Sequence, residues 1–295
     1  MTAPEGRPDH PTGSVLCSAA EKRLQSVGIE GAAGDVRALF LHALTTALGR
    51  PVPRHALRDH LAAPVPQAVV DAFARMVAAR EARQPVSQIT GRRAFWKHDF
   101  RVTPDTLDPR PETELLVELA LTEGFRSVLD LGTGTGAILI SVLAERPGVA
   151  GLGVDLSPAA LDVARQNAQM IGVQADFVLS DWFAVISGDF DLILSNPPYI
   201  AESEMPELAP EVREWEPRMA LTDEGDGLAA YRAICAAAPA HLRPQGRLMV
   251  EIGPSQGNAV AELMRRAGLA DVTVCRDLDG RDRVVWGRKA GLQST

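Results

Sequence analysis

Asn196, Pro197, Pro198 and Tyr199 follow an apolar run, Phe190-Asp191-Leu192-Ile193-Leu194-Ser195. Asn196 offers a carbonyl acceptor and an amide donor, and Pro197 offers a backbone carbonyl on a ring-locked chain. Two rigid acceptors side by side suit one kind of target, a planar NH2 group with two hydrogens. Tyr199 supplies a flat face beside it. The preceding run has the length and composition of a strand. Neither proline has an N–H to donate, so the ladder ends there. The four residues therefore belong at the carboxyl end of a buried strand, the edge where open α/β sheets bind ligands. The same four residues are also how a proline-stiffened loop is written. Other strand ends decide between the two readings.

Asp130-Leu131-Gly132-Thr133-Gly134-Thr135-Gly136 follows an apolar strand, Ser127 to Leu131, and opens a helix. Glycines let the backbone approach a ligand closely, and the helix start presents free N–H groups. The spacing is GxGxG and not the GxGxxG of dinucleotide enzymes. Alone it points to a nucleotide-like cofactor. Asp155 stands at the end of the next strand, placed to accept from two ribose hydroxyls. Ser180-Asp181-Trp182-Phe183 ends the third strand, with an acid for an exocyclic amine and an aromatic to cover a ring. Singly, each acid reads as a solvated loop carboxylate or a cap. Three such signals on successive strand ends, with Asn-Pro-Pro-Tyr on the fourth, read as one site.

The elements that must carry these residues alternate. Strands are expected at 127–131, 150–154, 175–179, 190–195, 247–252, 272–276 and 283–286. Helices are expected at 134–145, 157–171, 228–241 and 255–267, with Ser157 as cap and Pro158 at the first helical position. Alternation of this kind predicts a doubly wound, mostly parallel sheet over residues 108–289. Residues 15–84 read instead as a small helical domain. Val36, Leu39, Phe40, Ala43 and Leu44 share one helical face, and Gly49 and Pro51 end that helix. Arg54–Leu61 and Pro66–Arg83 follow, the latter with Val69, Phe73, Met76 and Val77 inward. Residues 85–107, with Ala94-Phe95-Trp96 and Phe100-Arg101-Val102, read as a β-hairpin linker. Residues 1–14 read as a polar, disordered tail, and the chain after Arg288 as frayed. Pro111 with Glu112 and Glu114 marks a helix start behind a stiff Pro-Arg-Pro loop.

Composition excludes several classes. Among 295 residues no apolar run approaches the roughly 18 needed to span a bilayer, and no signal-peptide core precedes the first helix. Cys17, Cys235 and Cys275 are far apart and form no CxxC, which fits a reduced cytoplasmic protein. The six histidines show no HxxxH spacing, so no metal is expected. The net charge of −8 is uneven: residues 1–90 hold 10 Lys+Arg and 8 Asp+Glu, and residues 91–295 hold the other 20 and 30. An acidic second half disfavours tracking of a phosphate backbone and favours a small molecule or a basic protein partner.

The strand-end series resembles the class I S-adenosylmethionine-dependent methyltransferases, and Asn196-Pro197-Pro198-Tyr199 is similar to the motif of the branch that methylates planar amino groups. Phe95-Trp96, Pro109-Arg110-Pro111-Glu112-Thr113-Glu114, Asp181-Trp182-Phe183, Glu216-Pro217 before Ala220-Leu221, Asp226-Gly227-Leu228 and Glu251-Ile252-Gly253 narrow the resemblance. They point to the peptide chain release factor N5-glutamine methyltransferases over roughly residues 20–288. The resemblance implies a seven-stranded, Rossmann-like sheet behind a substrate-docking helical domain. It implies S-adenosylmethionine as methyl donor, S-adenosylhomocysteine as product, and no metal. Gly132, Thr133, Gly134, Thr135 and Gly136 would line its methionine part, Asp155 would hold the ribose, and Trp182 with Asp181 would cover the adenine. Asn196, which also borders the cofactor, and Pro197 would accept the hydrogens of a glutamine amide, with Pro198 and Tyr199 packing around it. The substrate would be the Gln of the Gly-Gly-Gln motif in class I release factors, met by a cytoplasmic monomer with no stable nucleic-acid or membrane binding. A ribosomal-protein glutamine methyltransferase and an adenine-N6 nucleic-acid methyltransferase share the chemistry, and the acidic second half disfavours the latter. Asp108 departs from the pattern, which usually has an aliphatic residue there.

Overall fold

The computed structural model describes residues 10–291. These divide into two compact units that meet between Gly91 and Arg92. The first is helical: α1 (Gly13–Ser26), α2 (Ala32–Leu48), α3 (Leu57–Ala62), α4 (Gln67–Glu81) and α5 (Val86–Thr90). Leu24, Leu39, Phe40, Val69, Phe73 and Val77 form its core. Phe40 and Phe73 meet edge to face at 5.3 Å. Met76, expected inside, is only partly buried against that core.

Most of the tail expected over 1–14 lies outside the described residues. Its described part is not loose. Val65 N–H donates to the Pro11 carbonyl at 3.0 Å, Thr12 bridges Pro64, and α1 already begins at Gly13. A β-carbon at Gly13 would lie 2.6 Å from the His60 carbonyl, so glycine permits this close approach.

The expected linker over 85–107 resolves into two pieces belonging to different units. Residues 86–90 form α5, whose Val86 and Ile89 pack on the helical core. Gly91, at φ 68°, ends it as a left-handed cap. Their β-branched content imitates a strand, but tertiary packing overrides that propensity. The hairpin proper is β1 (Arg92–Phe95) with β2 (His98–Arg101). It belongs to the second unit, where Phe95 and Phe100 are 1% and 0% exposed. Each such burial contributes about 1.5–3 kcal/mol.

The second unit continues through α6 (Glu114–Ala120), β3 (Ser127–Leu131), α7 (Ala137–Glu145), β4 (Ala150–Asp155), α8 (Pro158–Ile171), β5 (Asp176–Leu179) and β6 (Phe190–Ser195). After a long irregular stretch holding α9 (Pro210–Arg213) come α10 (Ala229–His241), β7 (Leu242–Glu251), α11 (Gly257–Arg266), β8 (Leu269–Arg276) and β9 (Asp282–Lys289). The seven strands of the sheet run in the order β5-β4-β3-β6-β7-β9-β8, and only β9 runs against the rest. The order reverses between β3 and β6, so those carboxyl ends flank the crevice where such sheets take ligands. Helices cover both faces, with Leu139, Ile140 and Leu161 on one side and Tyr231, Ile234 and Val260 on the other. β9 runs on to Lys289, past the point where fraying was expected, and residues 292–295 lie outside the described residues. Among the described residues, no helix is long and apolar enough to cross a membrane.

Candidate active site

The glycine-rich turn joins β3 to α7. Gly132, Gly134 and Gly136 take φ of 68°, 53° and 78°, a region that side-chain-bearing residues rarely enter. That run of left-handed residues delays α7 to Ala137, three residues later than the sequence pattern suggests. Thr133 N–H donates to the Val154 carbonyl at 2.9 Å, and its hydroxyl donates to Asp130 Oδ2 at 2.6 Å. Asp130 is wholly buried, and burial pushes its carboxyl up to about 7. Gly132, Thr133, Gly134 and Thr135 face a cavity, but Gly136 is not on its wall. A β-carbon there would meet Ile140 Cδ1 at 2.8 Å, so Gly136 serves helix packing.

Asp155 ends β4 on the same cavity. Its two oxygens accept Gly134 N–H and Ser157 N–H, each at 2.9 Å. Leu156 N–H also points at this carboxylate, and the three donors still leave part of its roughly four lone-pair positions for a ligand. Burial raises its pKa in spite of these donors. Asp181 and Trp182 border the cavity from the end of β5. Trp182 holds φ 46°, an uncommon conformation for an aromatic, and a β-carbon on Gly132 would lie 3.8 Å from its ring.

Asn196 and Pro198 line this first cavity, whereas Asn196, Pro197 and Tyr199 line a second one with Glu112, Glu251 and Arg283. Asn196 thus stands where the two cavities adjoin. Ser195 Oγ, donating to the Leu131 carbonyl at 2.7 Å, ties the end of β6 to that of β3. Gln256 Nε2 donates to the Tyr199 carbonyl at 2.9 Å and fixes the turn from the far side. Burial pushes the Tyr199 hydroxyl up to about 12, so it stays protonated. The Asn196 amide nitrogen donates to Thr113 Oγ1 at 3.3 Å, while its carbonyl oxygen is buried without a partner. A buried acceptor left free marks a place for an absent donor.

Two irregular stretches complete the walls. Asp108, Pro109, Arg110 and Thr113 come from the Pro-Arg-Pro loop, and Pro217, Met219 and Ala220 from the stretch after α9. Arg110 clasps Glu216 across them, and burial pushes the Glu216 carboxyl up to about 7. The departure at Asp108 is accommodated from β1. Arg93 approaches its carboxylate at 3.9 Å and donates from Nε to the neighbouring Pro109 carbonyl at 3.0 Å. Among the described residues no group of His, Cys, Asp and Glu has the arrangement of a metal site. Thr113 and Glu251 stand in the sequence only within longer motifs, Pro109 to Glu114 and Glu251 to Gly253, without a role of their own. The signal for Glu251 was available, since an acid ends the apolar strand that neighbours β6.

A glycine-rich turn, two acids and an aromatic on adjacent strand ends, and an Asn-Pro-Pro-Tyr turn at the order reversal define a methyltransferase of the Rossmann-like class. A methyltransferase structure from Pyrococcus furiosus superposes on 72% of this chain and 99% of its own, with a TM-score of 0.52 and 17% identity, a likeness of fold alone. Residues 104–213 match the methyltransferase small domain family, and residues 16–91 match the PrmC N-terminal domain. The release factor glutamine methyltransferase of Cereibacter sphaeroides is 57% identical over 272 residues, which covers 92% of this chain and 96% of that one. Its counterpart in Rhodospirillum rubrum is 43% identical, over 90% of this chain and 82% of that one. The chain belongs to the release factor glutamine methyltransferase family.

Proposed function

We propose that this chain transfers a methyl group from S-adenosylmethionine to the side-chain amide nitrogen of a glutamine, the Gln of the Gly-Gly-Gln motif in class I peptide chain release factors. One observation carries the reading: Asn196 presents an unpartnered carbonyl oxygen between a cavity bordered by the glycine turn and one lined by Pro197 and Tyr199. The first cavity fits the methyl donor, because the turn's glycines keep β-carbons off the wall and Asp155 keeps lone pairs for hydroxyls. In this reading Gly132 to Thr135 border the methionine part, Asp155 takes the ribose, and Asp181 and Trp182 take the adenine. S-adenosylmethionine supplies an electrophilic methyl carbon when bound.

The chain's own residues address a weak nucleophile. An amide nitrogen shares its lone pair with the carbonyl. Accepting both N–H bonds, on Asn196 Oδ1 and the Pro197 carbonyl, holds the nitrogen still and favours a pyramidal geometry. Orientation of this kind contributes roughly 7–11 kcal/mol in the best cases. Two oxygen dipoles also favour the positive charge that develops on nitrogen. Tyr199 and Pro198 bound the amide plane and restrict water. The first unit, free of chemistry-bearing motifs, docks the protein substrate. The enzyme acts as a cytoplasmic monomer, where release factors work, without stable nucleic-acid binding.

Incubating the full chain with labelled S-adenosylmethionine and, separately, release factor, ribosomal protein and DNA tests the reading. Label should enter release factor and map to the Gly-Gly-Gln peptide. Label on a ribosomal-protein glutamine or on adenine, with none on release factor, would replace the proposed substrate with one of the two alternatives.

A further inference from the structure

We infer that Asp108 is a cofactor-binding residue particular to this chain: its carboxylate takes the α-ammonium group of the methyl donor. This inference rests on the function proposed above and deepens it.

Asp108 stands where the pattern of the family usually has an aliphatic side chain. It is 5% exposed and borders the first cavity. Its Oδ1 is buried and has no hydrogen-bond partner among the described residues. Its Oδ2 lies 3.9 Å from Arg93 Nη1, a separation that balances charge but is too long for a hydrogen bond. Arg93 Nε donates to the Pro109 carbonyl at 3.0 Å instead. A carboxylate has room for about four donors, and burying one this poorly satisfied is costly. A cation received by the cavity would supply what the protein does not.

The place of Asp108 along the cavity says which cation. Asp181 and Trp182 reach the cavity from the end of β5, and Asn196 reaches it from the end of β6. β4 and β3 lie between, so these ends stand three strand spacings apart, about 14 Å. The loop carrying Asp108 belongs to the β6 end. Its Arg110 borders both cavities, and its Thr113 Oγ1 lies 3.3 Å from the Asn196 amide nitrogen. With adenine at the β5 end and ribose on Asp155, the methionine arm lies toward Asn196. S-adenosylmethionine carries three kinds of hydrogen-bond donor: the adenine amine, the ribose hydroxyls and the α-ammonium. Asp181 and Asp155 address the first two. Asp108 stands at the end where the third must lie, and Glu216, the acid nearby, is already held by Arg110.

This contact has a signature that packing does not. A charge-assisted hydrogen bond changes affinity roughly ten- to a hundredfold. S-adenosylmethionine and S-adenosylhomocysteine both carry the α-ammonium and gain it alike. 5′-Methylthioadenosine keeps the adenine, ribose and sulfur but lacks the methionine arm, so it gains nothing. In the ligand-free chain the same buried charge is a burden, so neutralising it should not lower the melting temperature.

The test is calorimetry on the full chain at pH 8 with these three ligands, for wild type and Asp108→Asn, with the ligand-free melting temperature as a separate readout. Asp108→Asn should weaken S-adenosylmethionine and S-adenosylhomocysteine equally, by roughly tenfold or more, and melt no lower than wild type. Its affinity for 5′-methylthioadenosine should stay within about twofold of wild type. Unchanged S-adenosylmethionine affinity would overturn the inference. So would an equal loss for all three ligands, the mark of a strut for the loop and not of a contact with the methionine arm. A loss for S-adenosylmethionine alone would set the carboxylate against the sulfonium and overturn the α-ammonium assignment. If Asp108→Asn does not fold, Asp108→Leu, an aliphatic of the kind the pattern usually has, faces the same comparison with the same outcomes. A wild-type chain that binds none of the three would overturn the methyl-donor reading as well. One that binds all three, with Asp108→Asn indistinguishable from it, overturns this inference alone.

Discussion

Replacing Asn196 by Asp separates acceptance of the substrate hydrogens from the anchoring of the acceptor. The substitution keeps an oxygen in nearly the same place but removes the NH2 that now donates to Thr113. The introduced carboxylate cannot donate, so the contact with Thr113 as it stands is lost and the oxygen is no longer held in one direction. The variant's rate should drop about as far as that of Asn196→Ala, on the order of 10²–10³, the usual loss for one transition-state hydrogen-bonding group.

Single-turnover methyl transfer, with enzyme in excess and cofactor saturating, isolates the chemical step from product release. Rates of wild type, Asn196→Ala and Asn196→Asp between pH 6 and 8.5 give the comparison. If the Asp variant keeps more than about a tenth of the wild-type rate at pH 8, acceptance alone suffices and the anchor is irrelevant.

Asp155→Ala should weaken S-adenosylmethionine binding by about 1–3 kcal/mol, since it removes a charged acceptor and also frees Gly134 N–H and Ser157 N–H; unchanged affinity by calorimetry would reject the ribose assignment. A chain beginning at Arg92, where the second unit starts, should bind the cofactor but methylate intact release factor poorly, and full activity would reject the docking role of the first unit. Asp130, raised by burial from an ordinary 3.8 to about 7, keeps its proton in the folded state across a window where the unfolded chain has lost it. Its contribution to stability therefore declines as pH rises from about 4 to 7 and is level above; Asp130→Asn should remove that decline, gaining on the wild type by at most on the order of 4 kcal/mol between urea titrations at pH 4 and pH 8.

The strand ends were legible because each is marked by residue types a buried strand cannot hold. Glycine at positive φ, a carboxylate after an apolar run and a proline pair all announce a chain leaving the sheet. The sheet itself followed from alternation, and β3 and α8 lie where the pattern puts them. Residues 86–90 misled because Val86, Ile89 and Thr90 carry strand propensity, whereas the helical core takes Val86 and Ile89 on one turn of helix. The start of α7 was misplaced because nothing local says how many glycines of the run will turn left-handed. The hydrogen bond between Thr113 and Asn196 was beyond local reading for another reason: it joins residues 83 positions apart, one on a 3₁₀ turn and one at a strand end, and only the folded chain brings them together.

Three buried carboxylates near these cavities, Asp130, Glu216 and Glu251, are each pushed by burial to about 7. In a cleft, an acid poised near neutrality is the first candidate for a general base. The geometry argues for another use. Two of them are engaged by a neighbour that shapes something else: Thr133 in the glycine turn and Arg110 in the clasp between two loops. The proposed chemistry needs no base before attack, because the proton on an alkylated amide nitrogen is strongly acidic and leaves to water once the bond has formed. A base placed against the amide would also compete with Asn196 and Pro197 for the two hydrogens that orient it. A solvent isotope effect near unity on single-turnover transfer at pH 8 is the matching result, and a large one would show a proton in flight in the transition state and return a base to the mechanism.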